Sequence, residues 1–104
     1  MYTIVETEIF KSKVDRIWTR DERLEFLSFL SNNPLIGDVI PKSAGLRKVR
    51  WQANVHGKRG GARVIYFNLL DDGLIVALDI YTKNEKENLS QQEMKHLRGI
   101  KNEQ

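Results

Sequence analysis

Tyr2 and Ile4 alternate with Thr3 and Val5 before Glu6 ends the run. A period of two belongs to strands, so the pattern predicts a short strand over 2–6. The spacing then lengthens, and Ile9, Phe10, Val14, Ile17 and Trp18 recur as one stripe of an amphipathic helix over 8–18. Thr19-Arg20-Asp21-Glu22 has capping-box spacing, in which the Thr19 hydroxyl accepts from the backbone at Glu22 while Glu22 reaches back. A second helix is predicted to start there, with Leu24, Phe26, Leu27 and Leu30 on its apolar face. Asn32-Asn33-Pro34 stops it, because proline cannot continue a helix and restricts the residue before it.

The stretch 34–45 holds both prolines of the chain and two glycines, which predicts an irregular connection within one domain. Three strand-like runs follow over 47–53, 62–70 and 74–82. They are joined by a Gly-rich loop at 56–61 and by the Asp71-Asp72-Gly73 turn, so a meander is expected. Ser90-Gln91-Gln92-Glu93 is a second capping box, and Met94, Leu97, Arg98 and Ile100 give a short final helix one apolar edge. The order is β-α-α-β-β-β-α, an α+β domain.

Composition bounds this picture. A chain of 104 residues that is 40% hydrophobic supplies one core of ordinary size, so residues 1–104 read as a single domain. The lack of cysteine excludes a disulfide scaffold and thiolate metal sites, and fits a reducing compartment. The start has no basic leader region, and no apolar run approaches the roughly 20 residues that span a bilayer. A cytoplasmic location without a membrane partner is the expectation.

Charge changes the picture more. The net charge is only +3, yet no acid occurs over 39–70, where Lys42, Arg47, Lys48, Arg50, Lys58, Arg59 and Arg63 stand. The rest of the chain holds ten bases against fourteen acids. Parity then sorts the strand faces: Val49 and Trp51 oppose Lys48 and Arg50, and Val64 and Tyr66 oppose Arg63. In the last run Leu74, Val76, Leu78 and Ile80 read as the core face, with Asp79, Tyr81 and Lys83 on the other. With the Val49 face buried, Lys48, Arg50, Arg63, Tyr81 and Lys83 are expected on one exposed cationic face. Such a face suits RNA, whose phosphates the cations neutralise and whose unpaired bases a ring can stack on. Basic residues on a sheet are equally often only solvated.

Other chemistries find less support. His56 and His96 lie forty residues apart with no nearby cysteine, so neither a metal nor a cofactor is expected. Gly57-Lys58-Arg59-Gly60-Gly61 lacks the spacing of a phosphate-binding loop and leads into a strand, so it reads as an adaptable basic hairpin.

Taken in order, Gly45-Leu46-Arg47-Lys48-Val49-Arg50, Gly57-Lys58-Arg59-Gly60-Gly61-Ala62-Arg63-Val64-Ile65-Tyr66 and Ile80-Tyr81-Thr82-Lys83-Asn84-Glu85 resemble the HigB branch of the RelE/ParE toxin superfamily. Asn33-Pro34 followed by Gly37-Asp38-Val39-Ile40 agrees with it, and the resemblance spans nearly the whole chain. It implies a RelE-like fold: two N-terminal helices packed on a curved, mostly antiparallel four-stranded sheet, with a short C-terminal helix. It also implies the toxin of a type II toxin–antitoxin system, a ribosome-dependent endoribonuclease that cuts translated mRNA in the A site. The implied chemistry is metal-independent attack by the ribose 2′-hydroxyl. The implied partners are the ribosome, mRNA and a cognate antitoxin with a helix-turn-helix DNA-binding character.

By motif position the resemblance carries over Lys48 and Arg50 as the basic pair, Arg63 as the phosphate ligand and Lys83 as the last basic residue. The catalytic set expected is Arg63, Lys83, Lys48 and Tyr81, with Lys48 and Lys83 as candidate bases and Tyr81 as a donor or acceptor. Arg47, Arg50, Lys58 and Arg59 are expected to bind RNA. The stretch Glu85-Lys86-Glu87-Asn88-Leu89 lacks an Arg and a Tyr that RelE carries nearby, which leaves the acid and base open. The alternative within the superfamily is a ParE-like toxin that binds DNA gyrase and catalyses nothing.

Overall fold

The computed structural model describes residues 1–52 and 61–103. The elements are β1 (Thr3–Glu6), α1 (Glu8–Ile17), α2 (Arg20–Asn32), β2 (Asp38–Val39), β3 (Arg47–Trp51), β4 (Ala62–Leu69), β5 (Leu74–Thr82) and α3 (Gln91–Glu103). They form an α+β unit whose five-stranded sheet runs β1-β5-β4-β3-β2. The pair β1–β5 is parallel; β2–β3, β3–β4 and β4–β5 are antiparallel. Four strands stand where the sequence predicts them. The fifth, β2, lies in the stretch expected to be irregular. Two residues between a buried glycine and a proline are too few to show a period.

Local chemistry explains the helix starts. Both predicted capping boxes form: Glu22 N donates to Thr19 Oγ1 at 3.2 Å and Thr19 N to Glu22 Oε1 at 2.8 Å, while Ser90 and Glu93 exchange the same bonds at 3.1 and 2.9 Å. Thr7 caps α1, accepting from Phe10 N at 3.2 Å. Leu24 departs from its predicted place and is exposed, whereas Phe26 and Leu30 are buried. Phe26 meets Trp18 and Trp51 at ring-centroid distances of 5.1 and 5.4 Å.

Two cores lie on opposite faces of the sheet. On one, α1 and α2 bring Phe10, Val14, Phe26 and Leu30 onto Val49, Val64, Tyr66, Ile75, Ala77 and Ile80. On the other, Leu97 of α3 packs with Ile65, Phe67, Val76, Leu78 and Tyr81. The expected single core face is therefore corrected in two respects. The second face of β4 and β5 is buried too, and Ile80 does not share a face with Val76 and Leu78.

The physical cause of the second correction is a register shift between Ile65 and Tyr66. Ile65 pairs with Asp79 and Tyr66 with Ala77, so Leu78 is the extra residue of a bulge. The carbonyls at this point turn to Thr7: Thr7 N donates to Ala77 O at 3.1 Å and Thr7 Oγ1 to Leu78 O at 2.9 Å. One threonine thus caps α1 and satisfies the bulge. We expect Thr7→Ala to lower stability by about 1–2 kcal/mol, the cost of losing a cap and a buried carbonyl's partner together. Thr7→Ser should recover most of it in urea unfolding.

Candidate functional site

Strand pairing sets the site. Arg50 of β3 lies directly opposite Arg63 of β4, and Arg63 directly opposite Tyr81 of β5, so the three side chains form one row across the sheet. Lys48, two residues from Arg50, shares their face. The 83–90 connection closes over that face. A cleft of about 230 Å³ results, lined by Asp38, Lys48, Arg50, Arg63, Glu87 and Asn88. Beside it is a second cleft of about 380 Å³ whose walls are Val39, Ile40, Pro41, Leu89 and Met94, with Asp38, Lys48, Asn88 and Tyr81 also lining it. Asp38, Lys48 and Asn88 border both.

The expectation of an exposed cationic sheet face needs correction here. Arg63 is only 2% exposed and Tyr81 is fully buried, because α3 and the connection before it cover the face that parity alone left open. Arg63 Nη1 donates to Gly61 O at 3.4 Å. Two guanidinium groups directly opposite one another repel, and Asp38 and Glu87 bring carboxylates to the same cleft. Lys48 Nζ donates to Asn88 Oδ1 at 2.7 Å and so ties β3 to the closing connection.

Tyr81 sits at the end of the row with its hydroxyl buried and, among the described residues, without a hydrogen-bond partner. Burial pushes its phenol up to about 12, against the opposing pull of Arg63. The phenol therefore keeps its proton at neutral pH. Lys86 Nζ lies 4.9 Å from the centre of its ring and also pairs with the Glu93 carboxylate. Held first by Lys86 and then by the Ser90 backbone, that carboxyl falls to about 2. Tyr81, Lys86 and the start of α3 are thereby one unit.

The remaining predicted residues lie elsewhere. Arg47 points to the opposite face of β3 from Lys48, and its Nη1 donates to Gly37 O at 2.6 Å. Lys83 is exposed just past β5 and lines neither cleft. Lys58 and Arg59 lie outside the described residues. Asp38, Glu87 and Asn88 were not predicted for the site. Asp38 sits in the matched Gly37-Asp38-Val39-Ile40 stretch, which gave it no role, and nothing in the sequence marks Glu87 or Asn88. Among the described residues no group of three or more His, Asp or Glu stands together to hold a metal, and no helix is long and apolar enough to cross a membrane.

Two cores on a five-stranded mixed sheet, with α3 laid over the second, make the fold of the RelE toxins. The chain is similar to the E. coli RelE toxin in the free state with two arginines replaced by alanine, at TM-score 0.64 and 11% identity, covering 96% of each chain. It is similar as well to the isolated E. coli RelE toxin, at TM-score 0.61 and 13% identity, over 96% of this chain and 99% of that one. No family model matches the sequence.

The Glu93 carboxyl gives this region a pH signature. Its folded value of about 2 lies below the ordinary 4.5, so the unfolded chain takes up the proton first as pH falls. The clamp's contribution is therefore complete above about pH 4.5 and is lost as pH falls towards 2. Glu93→Gln should remove that part of the acid sensitivity, seen as a smaller fall of the urea midpoint across this window than in the wild type.

Proposed function

We propose that this chain is a type II toxin of the RelE/ParE superfamily, of its HigB branch, and that it cuts mRNA on the ribosome. The observation that carries the reading is the Arg50–Arg63–Tyr81 row on a RelE fold, with Arg50, Arg63 and Lys48 lining one cleft and Tyr81 lining the cleft beside it. Arg63 is buried directly opposite the exposed Arg50, and a buried cation facing a like charge costs stability, as at sites shaped for a ligand rather than for folding. Here the ligand is a phosphodiester. A surface that only docks on gyrase has no use for an aligned row of phosphate ligands.

The Arg63 guanidinium forks onto the non-bridging oxygens of the scissile phosphate and stabilises the charge that grows as the ribose 2′-oxygen attacks phosphorus. Arg50 and Lys48 hold flanking phosphates. The P–O5′ bond breaks, leaving a 2′,3′-cyclic phosphate and a free 5′-hydroxyl. One group must take the 2′ proton and another must protonate the leaving oxygen. Tyr81 keeps its proton, so it belongs on the donor side, as does the Lys48 ammonium. Glu87 lines the cleft and suits the acceptor, because a carboxylate takes a proton without the cationic crowding that a lysine base requires. Lys83 lies outside the cleft and is left with steering RNA. Lys58, Arg59 and the ribosome supply the rest of the grip, and a cognate antitoxin holds the cytoplasmic protein inactive.

Arg63→Ala should reduce single-turnover cutting by about 10²–10³ at saturating ribosomes, the usual loss when one such donor is removed. Arg63→Lys should be similarly impaired, because the ammonium keeps the charge and loses the fork. Primer extension on translated mRNA reads both. A message carrying a 2′-deoxynucleotide at the cut position should survive intact. Cutting of that message would overturn the 2′-hydroxyl mechanism.

A further inference from the structure

We propose that the apolar cleft beside the arginine row is a base-reading subsite for guanine, with Asp38 as the residue that selects the base. The inference rests on the RNA-cutting reading above, since it takes the neighbouring cleft as the phosphate site.

The two clefts meet along Asp38, Lys48 and Asn88, one of them basic and the other walled by Val39, Ile40, Pro41, Leu89 and Met94. Adjacent phosphate-binding and apolar spaces match the two ends of a nucleotide. A volume of about 380 Å³ lies within the roughly 300–1,000 Å³ usual for small-ligand pockets and admits one unstacked base. A phosphate has no reason to enter an aliphatic slot; a base has.

The polar groups on the border are unevenly committed. Lys48 is the direct cross-strand partner of Asp38, yet its ammonium goes to Asn88 Oδ1 at 2.7 Å. Among the described residues nothing bonds to or pairs with the Asp38 carboxylate, which is exposed on β2. With Asn88 Oδ1 turned to Lys48, the amide has its Nδ2 hydrogens left to give. The subsite thus presents a pair of acceptors at Asp38 and a donor at Asn88.

Only one base offers the complement. The pairing edge of guanine carries two adjacent donors, N1–H and the N2 amine, beside the O6 acceptor. Adenine and cytosine each offer one donor next to an acceptor, and uracil has a single donor between two acceptors. A carboxylate pairing in bidentate fashion therefore selects guanine and is repelled by the lone pairs of the other three. Asparagine at the same place offers one acceptor and one donor, the pattern that pairs with adenine.

The experiment uses the full chain, ribosomes and an mRNA library randomised at the A-site codon, with cut sites read by sequencing. The wild type should cut next to guanosine about 10-fold or more in preference to adenosine, the discrimination typical of a bidentate contact. Asp38→Asn should erase that preference or turn it towards adenosine. Equal cutting at all four bases by the wild type, or an unchanged guanosine preference in Asp38→Asn, overturns the subsite. Absence of any wild-type cutting overturns the nuclease reading instead. The subsite is then judged by titrating 5′-GMP and 5′-AMP against the amide resonances of Asp38 and Val39. Tighter GMP binding that Asp38→Asn removes sustains it, and equal responses to the two nucleotides overturn it.

Discussion

One extra residue in β5 decides what each face of the sheet holds. With Leu78 bulged between the pairs Ile65–Asp79 and Tyr66–Ala77, the alternation of β5 changes sides. Ile75, Ala77 and Ile80 face α1 and α2, and Val76, Leu78 and Tyr81 face α3. Continued without the bulge, the alternation of Val76 and Leu78 would bring Ile80 to the α3 face and turn Tyr81 into the helical core. Arg63, its direct partner, would then end its row at a different side chain. The bulge survives because Thr7 takes up its carbonyls. A capping threonine at the start of α1 thus fixes the geometry of a cleft on the far face of the sheet.

This dependence separates what the sequence makes legible from what it hides. Capping boxes at Thr19 and Ser90, the stop at Pro34 and the Gly73 turn are local chemistry, so helix starts and strand order can be read directly. Face assignment is a parity argument, and parity fails beyond a bulge that no residue type in Ala77-Leu78-Asp79 announces. Nor does parity reveal that α3 covers the second face, since a short amphipathic helix carries no sign of its docking partner. Hence Lys48, Arg50, Arg63 and Tyr81 were identifiable as neighbours, whereas the burial of Arg63 and Tyr81 was not. Asp38, Glu87 and Asn88 reach the cleft through tertiary approach alone, from an edge strand and a connection that have no period to read.

The site is also built against stability. Arg63 is buried opposite another arginine, and the Tyr81 hydroxyl is buried without a partner among the described residues. Each is a cost that the two apolar cores bear. Lys86 limits it on one side by covering the Tyr81 ring while pairing with Glu93 at the head of α3. The helix that closes the second core and the phenol at the end of the arginine row are therefore held by the same ammonium, so packing of α3 and polarity of the cleft are not independent variables.

On the other border of the cleft a core residue and a member of the basic run also hold the backbone. Tyr66 is buried under the first core, yet its hydroxyl accepts from Gly37 N at 2.9 Å and donates to Pro34 O at 2.8 Å. Arg47, a member of the basic run, grips the Gly37 carbonyl. Gly37 itself is held so closely that a Cβ there would stand 2.8 Å from the Tyr66 ring and 3.0 Å from the Lys48 carbonyl. These contacts fix the backbone just before Asp38, and a two-residue edge strand has little else to hold it. Arg47 acts as a strut on the carbonyl that positions β2, while Lys48 and Arg50, on the opposite face of the same strand, face the cleft. Alternation along β3 divides one cluster of like charges into a half that holds the backbone and a half that faces the cleft, a division that composition and net charge cannot reveal.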